Sequence, residues 1–198
     1  MIYNKPDTKL DECIYVAEKI IPADLCDAVV KDLETRPWEP HQWYNNETKV
    51  WSTKKTKELD VQYTTPELQK ALGKFLVEAG RQYNQNYSYS FSEPDRSGQI
   101  MSQFNSIRFN RYEPDQIMRQ HYDHIHSLFD GEIKGVPVLS FIMNFNDDYE
   151  GAELFFWKDT MVELGKGDIV MFPSNFLFPH GVTEATKGKR YSAVAWGW

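Results

Sequence analysis

His121 and Asp123 stand two residues apart in the run Gln120-His121-Tyr122-Asp123-His124, and His180 follows fifty-nine positions after His121 in Phe178-Pro179-His180-Gly181. Ten residues further on comes Arg190, in Gly188-Lys189-Arg190-Tyr191-Ser192. Two imidazoles and one carboxylate are the donors of a non-haem iron site, a facial set that leaves three neighbouring positions of an octahedral ion open. An arginine beside such a set suits an anionic cosubstrate. A guanidinium grips a carboxylate through two parallel hydrogen bonds, which lysine does less well, and Ser192, two residues along a strand from Arg190, can add a third from the same face.

Taken singly, each of these residues has a plainer reading. A lone histidine is more often a core or surface residue, and Arg190 alone reads as a solvated strand-end charge. Four of the five histidines, however, fall in the two segments that also carry the carboxylate and the arginine. A zinc site drawn from Asp123, His124 and His126, with a bound water as nucleophile, uses part of the same cluster. Against it, His124 falls on the opposite strand face from His121 and Asp123, and zinc hydrolysis does not require Arg190. A zinc-dependent hydrolase and a non-catalytic binding module stay open beside the iron reading.

The elements that must position these groups follow from periodicity. Side chains two apart on a strand share a face, so a strand over IMRQHYDH projects His121 and Asp123 together and turns Tyr122 away. Further strands are expected at SQFNSIRFNRY, VPVLSFIMNFN, AELFFW, DIVMFP and RYSAVAWGW, separated by turn residues such as Glu113-Pro114-Asp115 and Gly165-Lys166-Gly167. Before residue 100 the period is helical. Leu25, Val29, Val30 and Leu33 form one stripe behind Pro22. Leu68, Leu72, Phe75, Leu76, Ala79 and Tyr83 form a second behind Pro66, with Thr65 as its cap. Helices followed by six or more short strands predict an α+β chain whose β part is a jelly-roll-like double sheet, with the helices packed by their stripes on a sheet. Residues 41–61 have no clear period and are expected to be a flap or a short hairpin.

Composition narrows the function classes. A chain of 198 residues with 41% hydrophobic and 26% charged residues reads as one globular domain, 1–198, with helical support over about 1–100 and the β core over about 101–198. A net charge of −7 argues against nucleic acid as a partner. The basic run Lys49, Lys54, Lys55 and Lys57 is interrupted by Glu47, Glu58 and Asp60 and reads as a solvated loop. Two cysteines, Cys13 and Cys26, give no disulfide framework, and neither an apolar leader nor a membrane-spanning run stands out, so a cytoplasmic location without membrane contact is expected.

Together these residues resemble the 2-oxoglutarate and Fe(II)-dependent oxygenases, within them the prolyl 4-hydroxylase-like branch. The resemblance covers about residues 104–198. It rests on Tyr112 ahead of the His-x-Asp, on Leu139–Asp148, on Tyr149-Glu150-Gly151-Ala152-Glu153-Leu154 and on Gly167–Pro173, in that order. It implies a double-stranded β-helix of the jelly-roll or cupin type with His121, Asp123 and His180 as iron ligands. It also implies Arg190 on the distal carboxylate of 2-oxoglutarate, with Tyr112 and Ser192 completing that contact and Asn144 at a further cosubstrate position. The implied activity hydroxylates an unactivated C–H bond, of a prolyl residue in a peptide or protein, and releases succinate and CO2. Its cofactors are Fe(II), 2-oxoglutarate, O2 and, as an addition, ascorbate. A free amino acid or another small molecule is the alternative substrate, and Tyr122 and Trp196 are candidate walls for it. Three positions depart from the branch: Asp115 where glycine is usual, Ala152 for the second glycine of a pair, and Asn144 where tyrosine or threonine is frequent.

Overall fold

The computed structural model describes residues 9–45, 50–52, 57–87, 101, 103–123 and 136–198. His124, His126, Lys49, Lys54, Lys55 and parts of the 41–61 stretch lie outside them. The first half of the chain contributes strands β1 (Tyr15–Ala17), β2 (Glu39–Pro40), β3 (Trp43–Asn45), β4 (Val50–Ser52) and β5 (Asp60–Tyr63), with helices α1 (Ala23–Leu33) and α2 (Pro66–Tyr87). The second half is built of strands. These are β6 (Arg108–Tyr112), β7 (Met118–His121), β8 (Leu139–Asn144), β9 (Glu150–Gly151), β10 (Leu154–Phe156), β11 (Thr160–Val162), β12 (Ile169–Pro173), β13 (His180–Val182), β14 (Ala185–Lys187) and β15 (Arg190–Gly197). One sheet runs β1-β12-β8-β15-β6-β5-β2 and a second runs β11-β10-β13-β7, with antiparallel neighbours throughout.

Alternation along the strands of the larger sheet sorts its side chains into two layers. Ile169 and Met171 of β12, Phe141 and Met143 of β8, and Tyr191, Ala193 and Ala195 of β15 pack with Cys26, Val29 and Leu33 of α1 and Leu72, Leu76, Ala79 and Tyr83 of α2. Their sequence neighbours Val170, Phe172 and Ile142 point the other way and pack against Leu154, Phe156, Met118 and Val182 of the smaller sheet. The period of two therefore builds a helix-facing core and an inter-sheet core from one set of strands, the double-stranded β-helix with helices outside one sheet. The helices are held by their stripes and by specific polar ties. Leu68 N–H donates to the Thr65 hydroxyl (3.3 Å) at the start of α2, and Gln62 of β5 donates to the carbonyls of Leu33 and Arg36 (2.9 and 3.1 Å) at the end of α1.

Two expectations change. The strand predicted over IMRQHYDH is β7 alone and stops at His121, so Asp123 stands in the segment after the strand. The region before residue 100 is not only helical support, because β1, β2 and β5 belong to the larger sheet. Short, isolated strands of two to four residues carry too few alternations to show a period. In the 41–61 stretch, β3 and β4 form a hairpin, and β5 pairs with β6.

Candidate active site

The inner faces of the two sheets meet over an open cleft of about 450 Å³. β6 and β15 supply its floor in register, Tyr112 opposite Arg190, Asn110 opposite Ser192 and Arg108 opposite Val194. β7 and β13 supply the opposite wall, where His121 pairs directly with His180.

The three candidate metal donors converge there. His121, Asp123 and His180 each offer one ligand atom, and these atoms lie within 4.8 Å of one another. His121 Nε2 is 3.7 Å from Asp123 Oδ1, and His180 Nε2 is 3.9 Å from Asp123 Oδ2. The far nitrogens are committed elsewhere: His121 Nδ1 lies 2.9 Å from the Arg119 carbonyl and His180 Nδ1 lies 3.0 Å from that of Phe178. A carbonyl only accepts, so each Nδ1 carries a proton and each Nε2 is the nitrogen that faces the cleft. Burial, with the neighbouring His180 imidazole, lowers the His121 pKa to about 4, so the ring is neutral at pH 7. Burial acts to raise the Asp123 carboxyl, but His180, His121, Ser140 and Trp196 outweigh it and hold the group below its usual range. Two imidazoles and one carboxylate converging on one point fit a divalent cation.

Asp123 gets from its neighbours the orientation that a strand would otherwise impose. Ser140 Oγ, buried on β8, donates to Asp123 Oδ2, and Ser174 Oγ stands 2.6 Å behind Ser140. Because the single Ser140 proton is spent on the carboxylate, Ser174 is the donor in the second bond. Ser140→Ala is expected to weaken divalent-metal affinity by about 10- to 100-fold, the usual cost of losing an outer partner of a ligand, with little change in fold. Titration of Mn(II) into wild type and variant measures it, and equal affinities would remove Ser140 from this role.

Arg190 lies at the other end of the cleft and is 1% exposed. Nε donates to Asn144 Oδ1 and Nη1 to the Ala152 carbonyl, each at 2.9 Å. The Tyr112 and Tyr149 rings lie 5.6 and 5.9 Å from its guanidinium carbon. Among the described residues no carboxylate forms an ion pair with it, and Asp123 is the one acid that lines the cleft. A buried guanidinium without a counter-charge is costly. Its edge beside Tyr112 and Ser192 therefore suits an incoming carboxylate, which is the fit that 2-oxoglutarate requires. Burial raises the Tyr112 pKa, so its phenol stays a neutral donor.

The glycine-position departures are visible in the backbone. Asp115 has φ 69, and Gly151 and Ala152 have φ 71 and 50, so both non-glycine residues keep the left-handed conformation. For alanine that conformation costs about 1–2 kcal/mol. Here it belongs to the turn whose Ala152 carbonyl holds Arg190. Asn144 is fully buried and its amide donates to the carbonyls of Asn146, Leu164 and Gly165 (2.8, 3.2 and 3.3 Å), so its Oδ1 acts on the cleft through Arg190. Trp196 lines the cleft, whereas Tyr122 is 48% exposed and does not. Sequence reasoning missed Ser140, Ser174, Tyr149 and Arg108. The first two had no signal beyond a serine within an apolar strand pattern.

Residues 107–198 match the 2OG-Fe(II) oxygenase superfamily, and the double sheet with its His-Asp-His set is in keeping with that match. The relatives that the chain matches are named as prolyl 4-hydroxylases or PKHD-type hydroxylases. The chain is 31% identical over 111 residues to prolyl 4-hydroxylase 1 of Arabidopsis thaliana, covering 46% of this chain and 39% of the relative. It is 34% identical over 97 residues to a PKHD-type hydroxylase of Idiomarina loihiensis, covering 46% and 40%. The chain thus spans about two-fifths of the length of these curated relatives. A prolyl-4-hydroxylase of Pseudomonas putida shares the fold with a TM-score of 0.62 and 20% identity over 93% of this chain and 91% of that one. A Trichoplax adhaerens prolyl hydroxylase, solved with a hypoxia inducible factor peptide fragment, shares it with a TM-score of 0.67 and 13% identity over 94% and 84%. Among the described residues no helix is long and apolar enough to cross a membrane.

Proposed function

We propose that this protein, acting as a single domain over 1–198, is a 2-oxoglutarate- and Fe(II)-dependent dioxygenase that hydroxylates a prolyl residue in a peptide or protein. The observation that carries the reading is Arg190, a buried cation without a carboxylate among the described residues, in the same cleft as three converging metal donors. In this reading His121, Asp123 and His180 hold Fe(II), while Arg190 with Tyr112 and Ser192 binds the distal carboxylate of 2-oxoglutarate. Bound iron and 2-oxoglutarate together supply an oxidant for an aliphatic C–H bond, one oxygen atom of O2 going to the substrate and the other to succinate as CO2 leaves. The chain's own part is orientation. The backbone carbonyls of Arg119 and Phe178 fix the imidazoles, Ser140 fixes the carboxylate, and Asn144 and Ala152 fix the guanidinium. Trp196, on the cleft lining, is the proposed wall for the substrate ring. A cytoplasmic location completes the reading and accords with the free thiols of Cys13 and Cys26.

The test is turnover. Protein loaded anaerobically with Fe(II) and then given O2 should convert 2-oxoglutarate to succinate, and a proline-containing peptide should gain one oxygen by mass spectrometry. Absence of succinate with Fe(II), together with hydrolytic activity with Zn(II), would replace this reading with the hydrolase.

A further inference from the structure

A second arginine in the cleft forms no ion pair among the described residues. Arg108 opens β6 and shares the inner face with Asn110 and Tyr112. Among the described residues its buried Nε has no hydrogen-bond partner, and its one polar side-chain contact is Nη1 at 3.4 Å from His41 Nε2. Burial and the Arg108 charge lower the His41 pKa to about 3, so that imidazole is neutral and answers no charge. The scaffold arginines are treated differently. Arg111, three residues on, meets Glu34, Asp60 and Glu113 at 3.3, 3.0 and 3.5 Å, and Arg119 meets Glu58 at 2.6 Å. Carboxylates are supplied to the arginines of the scaffold and, among the described residues, to neither arginine of the cleft.

The anion that answers Arg190 does not reach Arg108. Arg108 lies opposite Val194, four residues along β15 from Arg190, a separation of about 13 Å at the strand rise. Asp123 does not neutralise Arg108 either, since a divalent ion on the donor set outweighs its single charge. Trp196 lies between the two features. Its indole is among the groups that hold the Asp123 pKa down, and the Arg108 guanidinium carbon is 5.6 Å from its ring. An anion held by Arg108 is therefore fixed beside the same aromatic wall that borders the metal donors.

We propose that Arg108 is a substrate-anchoring residue and that the substrate carries a carboxylate close to the carbon that is oxidised, in the form of an acidic side chain flanking the target residue. This rests on the oxygenase reading above and adds the substrate's charge to it. A free α-carboxylate is the other source of the same chemistry, and the experiment separates the two.

Calorimetric titration of the whole chain, loaded with Mn(II) and N-oxalylglycine as an unreactive 2-oxoglutarate analogue, measures binding without turnover. The ligands are proline-centred heptapeptides with Glu, Gln or Lys at the flanking positions, and N-acetylproline beside its amide. Wild type should bind Glu peptides about 10-fold or more tightly than Gln peptides, as expected for a desolvated charge pair. Arg108→Gln should remove that preference. Arg108→Glu should reverse it in favour of Lys peptides, a gain that a misfolded variant does not produce. A preference for N-acetylproline over its amide that exceeds any Glu preference would overturn the flanking acidic side chain in favour of the free carboxylate. Equal binding of Glu and Gln peptides by wild type, or a Glu preference that survives in Arg108→Glu, would overturn the anchoring role. Succinate formation from 2-oxoglutarate by wild type, measured separately, tells failure of this inference from failure of the oxygenase reading.

Discussion

Asp123→Ala is expected to abolish metal binding and succinate formation while the fold persists. Asp123 is the one acid that lines the cleft among the described residues, and two arginines line it as well. Without the carboxylate, a divalent cation meets two imidazoles in a cleft whose arginines are positive. Its affinity should fall by more than about 100-fold, the upper end of what loss of a mere outer partner costs. The fold has little to lose. Ser140 keeps its bond to Ser174, and a buried carboxylate is removed rather than created. Thermal melting separates the effects. At a hundredfold excess of Mn(II) over its Kd, wild type should gain about 2.7 kcal/mol, which is a rise of about 5–11 °C for a chain of this size. The variant should melt near the wild-type apo temperature and show no such rise. A variant that kept the metal-induced rise would remove Asp123 from the donor set.

The parts of this site that were legible in the sequence are those whose information is local. His121 and Asp123 declare themselves by type and spacing, and the period of two along β8, β12 and β15 announces the sheet whose inner face carries Asn144, Arg190, Ser192 and Trp196. Asp123 shows the limit of that argument. The strand ends at His121, and the carboxylate reaches its place because Ser140 holds it, a tertiary fact without a local period. The same holds for Arg108. In the sequence it is one of two arginines in the short run Arg108–Arg111, and alternation alone puts one of them inward. That the inward one lacks a counter-charge depends on His41, 67 residues away, being buried and neutral. The departures at Asp115 and Ala152 were visible as residue types. Their left-handed backbone, and the use of the Ala152 carbonyl to hold Arg190, needed the fold.

Arg190→Met should give the complementary pattern, with loss of 2-oxoglutarate binding and retention of the metal. The guanidinium spends Nε and Nη1 on Asn144 and the Ala152 carbonyl, and in the proposed reading its remaining donors serve the cosubstrate. Removing one partner of a buried, hydrogen-bonded charge pair costs about 2–5 kcal/mol, so the apparent affinity for 2-oxoglutarate should fall by roughly 30- to 4,000-fold. Arg190→Lys should recover little of this. An ammonium can replace one of the two anchoring bonds or approach the carboxylate, but it lacks the planar fork that does both. The metal should bind the Met variant at least as well as wild type, because a cation has left a cleft that must accept another. Stability of the empty protein should move only modestly, since relief of the unpaired buried charge offsets the orphaned Asn144 and Ala152 acceptors. Melting with Mn(II) alone and with Mn(II) plus 2-oxoglutarate reads each step. The variant should keep the first rise and lose the second, the reverse of a purely structural arginine, whose loss lowers the empty protein and leaves the ligand response intact.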